Sequence, residues 1–309
     1  MSESGRTSRA VAAAALCVMV VGTGAQSPAG PDFHYGAPVD VGAFAYRRDI
    51  PAGAAGIAEL RLDAAALAHC RSQFADLRIV AGDGRQVPYL IAKMNEPLAI
   101  RLSHLERDTS PPGASAGGER ARGTVSRYVI RLPYPKLPPA QLVLTTTARM
   151  FTRTLILQAD PGPADKAPDT LGVATWQHAM PDTDASPLTF TIESLQSTTL
   201  RLIVQEGDNA PLPIGVPTLL LPGYRVRFVR PANVPLQLVY GNRELEPARY
   251  DLVLAARWLV TSPAQEVVPG PEPRTTTNAL PAGIIFWSAL VAAVVVLLAL
   301  VGRLVAAKP

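Results

Sequence analysis

The stretch Tyr224-Arg225-Val226-Arg227-Phe228 decides the fold class of this chain. Its apolar residues recur at every second position, the period of a strand with one face packed and the other wet. A helix would scatter Tyr224, Val226 and Phe228 around its circumference. The same alternation runs through Leu200-Arg201-Leu202-Ile203-Val204 and Leu236-Gln237-Leu238-Val239-Tyr240. Upstream, Tyr128, Ile130 and Leu132 alternate with Val129 and Arg131, and Phe151 to Leu157 is rich in β-branched and apolar residues. Pro222-Gly223 and Gly241-Asn242 punctuate these runs as tight connections. The expected fold class is all-β.

Working toward the N-terminus, Leu77-Arg78-Ile79-Val80 and Val87-Pro88-Tyr89-Leu90-Ile91 flank Asp83-Gly84, a hairpin signal because glycine tolerates the positive φ of a primed turn. Pro88 places the second arm at a sheet edge. One short helix is expected from Asp63 to His69, with Asp63 capping the amides ahead of Ala64-Ala65-Ala66-Leu67. Residues 106–123 contain no large apolar side chain and read as a linker or long loop. That divides the folded part into a β module over 40–105 and a β-sandwich module over 124–261. Pro263, Pro269, Pro271 and Pro273 mark 262–279 as an extended stalk.

The two ends carry targeting signals. Arg6 and Arg9 precede an apolar run from Ala10 to Val21, with small residues at Thr23 and Ala25, so residues 1–25 read as a signal peptide. Leu280 to Val301 is uncharged and long enough to cross the ~30 Å hydrocarbon core, so 280–302 reads as a transmembrane helix. Arg303 and Lys308 follow it, which by the positive-inside rule leaves 303–309 as a short cytoplasmic tail and the body outside.

Of the formal net charge of +4, Glu3, Arg6 and Arg9 together account for one unit and Arg303 with Lys308 for two, leaving the body at about +1. No clustered basic surface argues for nucleic acid. With Cys17 in the signal segment, Cys70 stands alone and reads as a small buried apolar side chain. His34, His69, His104 and His178 lie far apart, no nucleophile elbow or phosphate loop is present, and no metal or cofactor is expected. The closest carboxylate pairs, Asp182 with Asp184 and Glu206 with Asp208, sit in turn-like sequence where such side chains bond their own backbone.

An ordered set of motifs resembles a known family. Phe44-Ala45-Tyr46-Arg47-Arg48, Ala75 to Val80 and Asp83 to Tyr89 are followed by Leu137-Pro138-Pro139-Ala140-Gln141-Leu142, then Glu206 to Leu212, Leu238-Val239-Tyr240-Gly241-Asn242 and Pro247 to Leu252. Together with the terminal apolar run they are similar to the bacterial domain-of-unknown-function family 3999. The resemblance implies an envelope protein of two β-sandwich-like modules, the second galactose-binding-like, with no known activity. It also implies a polytopic inner-membrane partner.

The expected role is therefore binding or scaffolding by a bitopic inner-membrane protein with a periplasmic body, rather than catalysis. The alternative is a protein that binds or acts on an envelope glycan. Two binding features stand out. Arg225, Arg227 and Arg230 form a basic stripe, the first two on one strand face, able to hold a partner's acidic groups or to stand as a solvated face. Trp176 reads as a sugar platform or a core anchor, and Trp258 likewise as an anchor, with the Asp208-Asn209 loop as a further place to look.

Overall fold

The computed structural model describes residues 35–108, 124–160, 168–252 and 255–273, together with Trp287, Leu290, Val291 and Val294. The strands in chain order are β1 (Tyr46–Ile50), β2 (Gly56–Arg61), β3 (Arg78–Ala81), β4 (Tyr89–Lys93), β5 (Leu98–Arg101), β6 (Glu106–Arg107), β7 (Thr124–Arg131) and β8 (Ala140–Leu144). They continue with β9 (Phe151–Ala159), β10 (Asp169–His178), β11 (Leu188–Ile192), β12 (Thr199–Gly207), β13 (Thr218–Leu221), β14 (Tyr224–Arg230), β15 (Leu236–Tyr240) and β16 (Gln265–Val267). Two short helices accompany them, α1 (Ala64–His69) and α2 (Ala256–Thr261). The described residues are thus all-β and sandwich-like in their layering.

Burial follows the period-two runs. Leu200, Leu202 and Val204 on β12, Leu155 and Leu157 on β9, and Leu142 and Leu144 on β8 are fully buried, while the residues between them are partly or fully exposed. Each such leucine contributes roughly 1.5–3 kcal/mol relative to an exposed one. In α1, Asp63 is the cap expected of it, its Oδ1 accepting from the amide of Ala66 at 3.1 Å. Gly84 at φ 79° closes the turn after β3. The two arms then part company: β3 joins one sheet and β4 forms the edge of another, which is where Pro88 belongs.

Four sheets are formed by the described residues, ordered β1-β15-β3, β16-β2-β14-β4, β11-β8-β13-β5 and β10-β9-β12-β7-β6. The first two are built from β1–β4 and β14–β16, the last two from β5–β13 alone. This corrects the expected division at 106–123. Tyr46 pairs with Tyr240, Leu60 with Val226 and Ile100 with Leu219, so strands from both sides of that boundary share sheets. Glu106 and Arg107 are themselves paired with β7, and only 109–123 of the expected linker lies outside the described residues. The first portion of the fold is opened after Lys93 and resumed at Tyr224, with β5–β13 as an excursion between.

The outgoing and returning crossings, 94–97 and 222–223, lie side by side. The amide of Met94 donates to the carbonyl of Gly223 at 2.9 Å. A Cβ at Gly223 would stand 2.3 Å from the carbonyl oxygen of Glu96, so glycine is needed there for close backbone approach. Apolar side chains of both portions belong to one connected core, from Ile50 and Leu60 through Leu142 and Leu155 to Phe228 and Val267.

The expected stalk over 262–279 is also corrected in its first two thirds. Gln265–Val267 is an edge strand, parallel to β2, and the chain beyond it is held by Arg48, His69 and Tyr240 as far as Glu272. The amide of Gly270 donates to the carbonyl of Asp49 at 2.8 Å. Residues 274–279, the signal segment 1–25 and the tail 303–309 lie outside the described residues. Of the expected membrane span only Trp287, Leu290, Val291 and Val294 are described; they are helical and exposed. Among the described residues no helix is long and apolar enough to cross a membrane.

Candidate functional site

The arginine stripe is not the solvated face that alternation suggests. Arg225 and Arg227 do point the same way from β14, but α2 and the segment after it cover that face, and Arg227 and Arg230 are buried. Arg227 Nη1 donates to the carbonyls of Leu259 and Val260, and Nη2 to that of Ser262 at 2.8 Å. The last carbonyls of a helix have no partner within it, and here one guanidinium supplies them. Glu59, opposite Arg227 in the register, balances the charge: its Oε2 lies 3.0 Å from Arg227 Nε and 3.3 Å from Arg225 Nη1. Arg230 lies across Gly53, where a Cβ would meet its guanidinium carbon at 2.6 Å, and donates to the carbonyl of Pro51. The stripe fastens α2 and the 51–53 turn to the sheets; only Arg225 keeps a partly exposed head.

Trp176 is the core anchor of its two readings. It is buried, its indole N–H donates to the carbonyl of Ser186 at 2.9 Å, and Phe151 meets it edge-on at 5.3 Å. A ring so covered offers no platform to a sugar. Trp258 is half-buried on α2. Asp208 and Asn209 occupy an exposed turn after β12, Gly207 taking φ 62° and the Asn209 amide groups returning to the carbonyl of Glu206. Glu206 does not pair with Asp208 across a cleft. It is buried against Arg153 (Oε2 to Nε 2.7 Å) and accepts the amide of Leu212, which pins the 207–212 loop. Asp182 and Asp184 are exposed, Asp184 in an ion pair with Arg149. His104 is exposed, and His178 Nε2 lies 3.0 Å from the carbonyl of Thr183. Among the described residues no His, Cys, Asp and Glu side chains gather as a metal site.

Two constellations escape sequence reasoning. The first is a clasp on the 269–273 segment. His69, at the end of α1, stacks on Tyr46 (4.1 Å, 6°), receives the edge of Tyr134 (5.2 Å) and sets Nδ1 3.0 Å from Glu272 Oε1. Tyr240, the register partner of Tyr46, stacks on it at 5.4 Å and donates its hydroxyl to the same Glu272 oxygen. Arg48 donates from Nε to the carbonyl of Gly270 at 2.7 Å and from Nη1 to Asp63 Oδ2 at 2.7 Å. Burial, reinforced by the Glu272 carboxylate, pushes the Tyr240 hydroxyl far above the ordinary tyrosine value. The Cys70 thiol is raised as well, by burial and then by Asp76, Glu272 and Asp63. The clasp is chemically a lock: aromatic faces and one carboxylate gripping a chain segment. Its members come from five separate stretches of sequence, so no periodicity or spacing joins them.

The second is a cleft of about 930 Å³ between the end of α1 with the 70–74 turn on one side and the Lys136–Pro139 segment on the other. Ile91, Lys93, Gln196 and Tyr224 complete its lining. Gln73 and Phe74 both hold left-handed backbone there, φ 58° and 56°. Such geometry costs on the order of 1 kcal/mol or more per residue and persists only where neighbours enforce it. Here Phe74 is held edge-on against Tyr224 at 4.8 Å, and Asp76 accepts the amides of Arg71 (2.8 Å) and Gly241 (2.7 Å).

No family model matches this chain, and no curated protein does. Among solved structures the chain is similar, very slightly, to "Structure of infectious bursal disease virus Gx strain", at 10% identity over 70% of this chain and 72% of that one, with a TM-score of 0.16. The Gt strain of the same virus gives 9% identity over 61% and 49%, with a TM-score of 0.15. Likeness at this level carries no argument about fold or function.

Proposed function

We propose that the chain is a single-pass protein of the bacterial envelope, of the kind that the family 3999 resemblance implies, whose periplasmic body binds or scaffolds a partner in the same membrane. The body then consists of two β-sandwich-like modules: β1–β4 with β14–β16, and β5–β13, the latter sharing part of the 124–261 stretch for which the resemblance implies a galactose-binding-like module. The observation that carries this reading is the clasped C-terminal segment. Because the chain is fixed to the sheets through Glu272, only 273–279 separate the last fixed residue from the apolar run at Leu280. Seven residues at about 3.5 Å each reach roughly 25 Å at most. A body held so near the bilayer surface meets proteins of that membrane before anything else. The exposed helical positions Trp287, Leu290, Val291 and Val294 recur at the spacing of one helix face, suited to lipid or to a neighbouring span.

Truncation before Leu280 tests the anchor. The full chain is expected to remain with membranes after a carbonate wash and the truncated chain to be released. A truncated chain that stays in the membrane pellet overturns the assignment. For the partner, photo-cross-linking residues at the exposed positions 95–97 should trap a discrete membrane protein, and inserting twenty flexible residues after Pro273 should abolish that trapping. Trapping that survives the insertion argues against a body positioned by its short tether.

A further inference from the structure

We infer that the cleft between α1 and the Lys136–Pro139 segment binds a small amphipathic anion, an aliphatic or aromatic body carrying a phosphate or carboxylate. Its volume of about 930 Å³ lies in the range of small-molecule sites. Leu67, Phe74, Ile91 and Leu137 supply apolar wall, and Lys93 and Lys136 supply charge; no Asp or Glu lines it. A cleft about half apolar, with lining charge of one sign, selects a ligand of the opposite sign that carries an apolar body.

The identity of the cations supports this. The chain uses arginine almost throughout; its lysines are Lys93, Lys136, Lys166 and Lys308. The two that lie among the described residues both line this cleft. Both are exposed, and neither ammonium has an ion pair or side-chain hydrogen bond among the described residues. Several arginines are engaged instead: Arg48, Arg78, Arg153 and Arg227 are buried on carbonyls and carboxylates, and Arg71, at the cleft rim, donates to the carbonyl of Leu245 at 2.7 Å. A strongly hydrated ammonium on a flexible stem suits a charged headgroup at a cleft mouth. The wall facing it is preformed, since the left-handed Gln73-Phe74 pair and the Phe74–Tyr224 contact hold the aromatic surface in place.

This inference stands apart from the membrane reading, and its test separates the two. The full chain in phosphatidylcholine nanodiscs is titrated calorimetrically with octyl phosphate, with empty nanodiscs titrated in parallel and subtracted. Octyl phosphate should bind at least about tenfold more tightly than octyltrimethylammonium and than inorganic phosphate. K93Q/K136Q should weaken octyl phosphate about tenfold with the circular dichroism spectrum unchanged. Q196E, a charge change at an exposed lining position, should weaken it in the same direction and serves if the double variant fails to fold. Equal binding of the cationic amphiphile, or undiminished binding by K93Q/K136Q or by Q196E, overturns the proposal. Either result leaves the carbonate-wash outcome for the anchor untouched.

Discussion

Arg225 and Arg227 differ by two positions on one strand and by a great deal in consequence. Replacing Arg227 by Gln strands the carbonyls of Leu259, Val260 and Ser262 and removes one of the two cations beside Glu59. A cost of about 3 kcal/mol is expected. Arg225→Gln, at a third-exposed head with one 3.3 Å contact, should cost about 0.5 kcal/mol. Urea unfolding midpoints of the two variants check the contrast, and equal losses would contradict it. Gly223 is constrained sterically. Ala there places a methyl against the backbone of Glu96, so Gly223→Ala should destabilise by about 1–3 kcal/mol, whereas Gly82→Ala, with nothing within 4 Å, should be nearly neutral. The alternation of Arg225 and Arg227 with apolar residues is legible in the sequence because side-chain direction is a local property of a strand. What covers the outer face is not, since water and α2 leave the same pattern.

At the scale of elements, the 262–273 segment is the place where composition misleads most. Four prolines read as an extended stalk, and the chain is indeed extended, but it lies on the sheets rather than away from them. Prolines remove amide donors without preventing carbonyls from accepting, and Arg48 donates to the carbonyls of Pro269 and Gly270. Glu272 is the lock on this segment. Glu272→Ala should raise the hydrogen-exchange rate of the Gly270 amide, now bonded to Asp49, at least about tenfold while leaving the β8 and β12 amides unchanged. Unchanged exchange at Gly270 would show that β16 holds the segment without the clasp. The short helix α1 is legible in the sequence because its cap, Asp63, is local; the meeting of His69 with Glu272 is not, since 203 residues separate them.

The molecule as a whole carries a cluster of acids whose protons burial retains. Tyr89 and Tyr240 are pushed far above their ordinary value, Tyr250 up to about 12 and the Cys70 thiol upward, in each case chiefly by burial. The unfolded chain loses these protons first, near pH 8.5 for the thiol and 10 for the phenols, while the folded chain keeps them. Above those values the unfolded state binds fewer protons, so stability is complete below about pH 8 and falls as pH rises through 9 to 12. Each phenol can contribute a slope of up to about 1.4 kcal/mol per pH unit in its window. Urea midpoints between pH 7 and 11 check this; Tyr240→Phe and Tyr250→Phe should flatten the alkaline fall, and a midpoint constant to pH 11 would contradict it. The sequence by itself determined the fold class, the short helix and its cap, and the turns at Gly84 and Pro222-Gly223, because period, capping and φ are set within a few neighbouring residues. Only the tertiary structure decided that β5–β13 is an excursion from a portion resumed at Tyr224, that the stripe is buried, and that His69, Tyr240 and Glu272 meet. Strand partnership depends on which faces and edges remain after the rest of the chain has packed, and no local pattern records that.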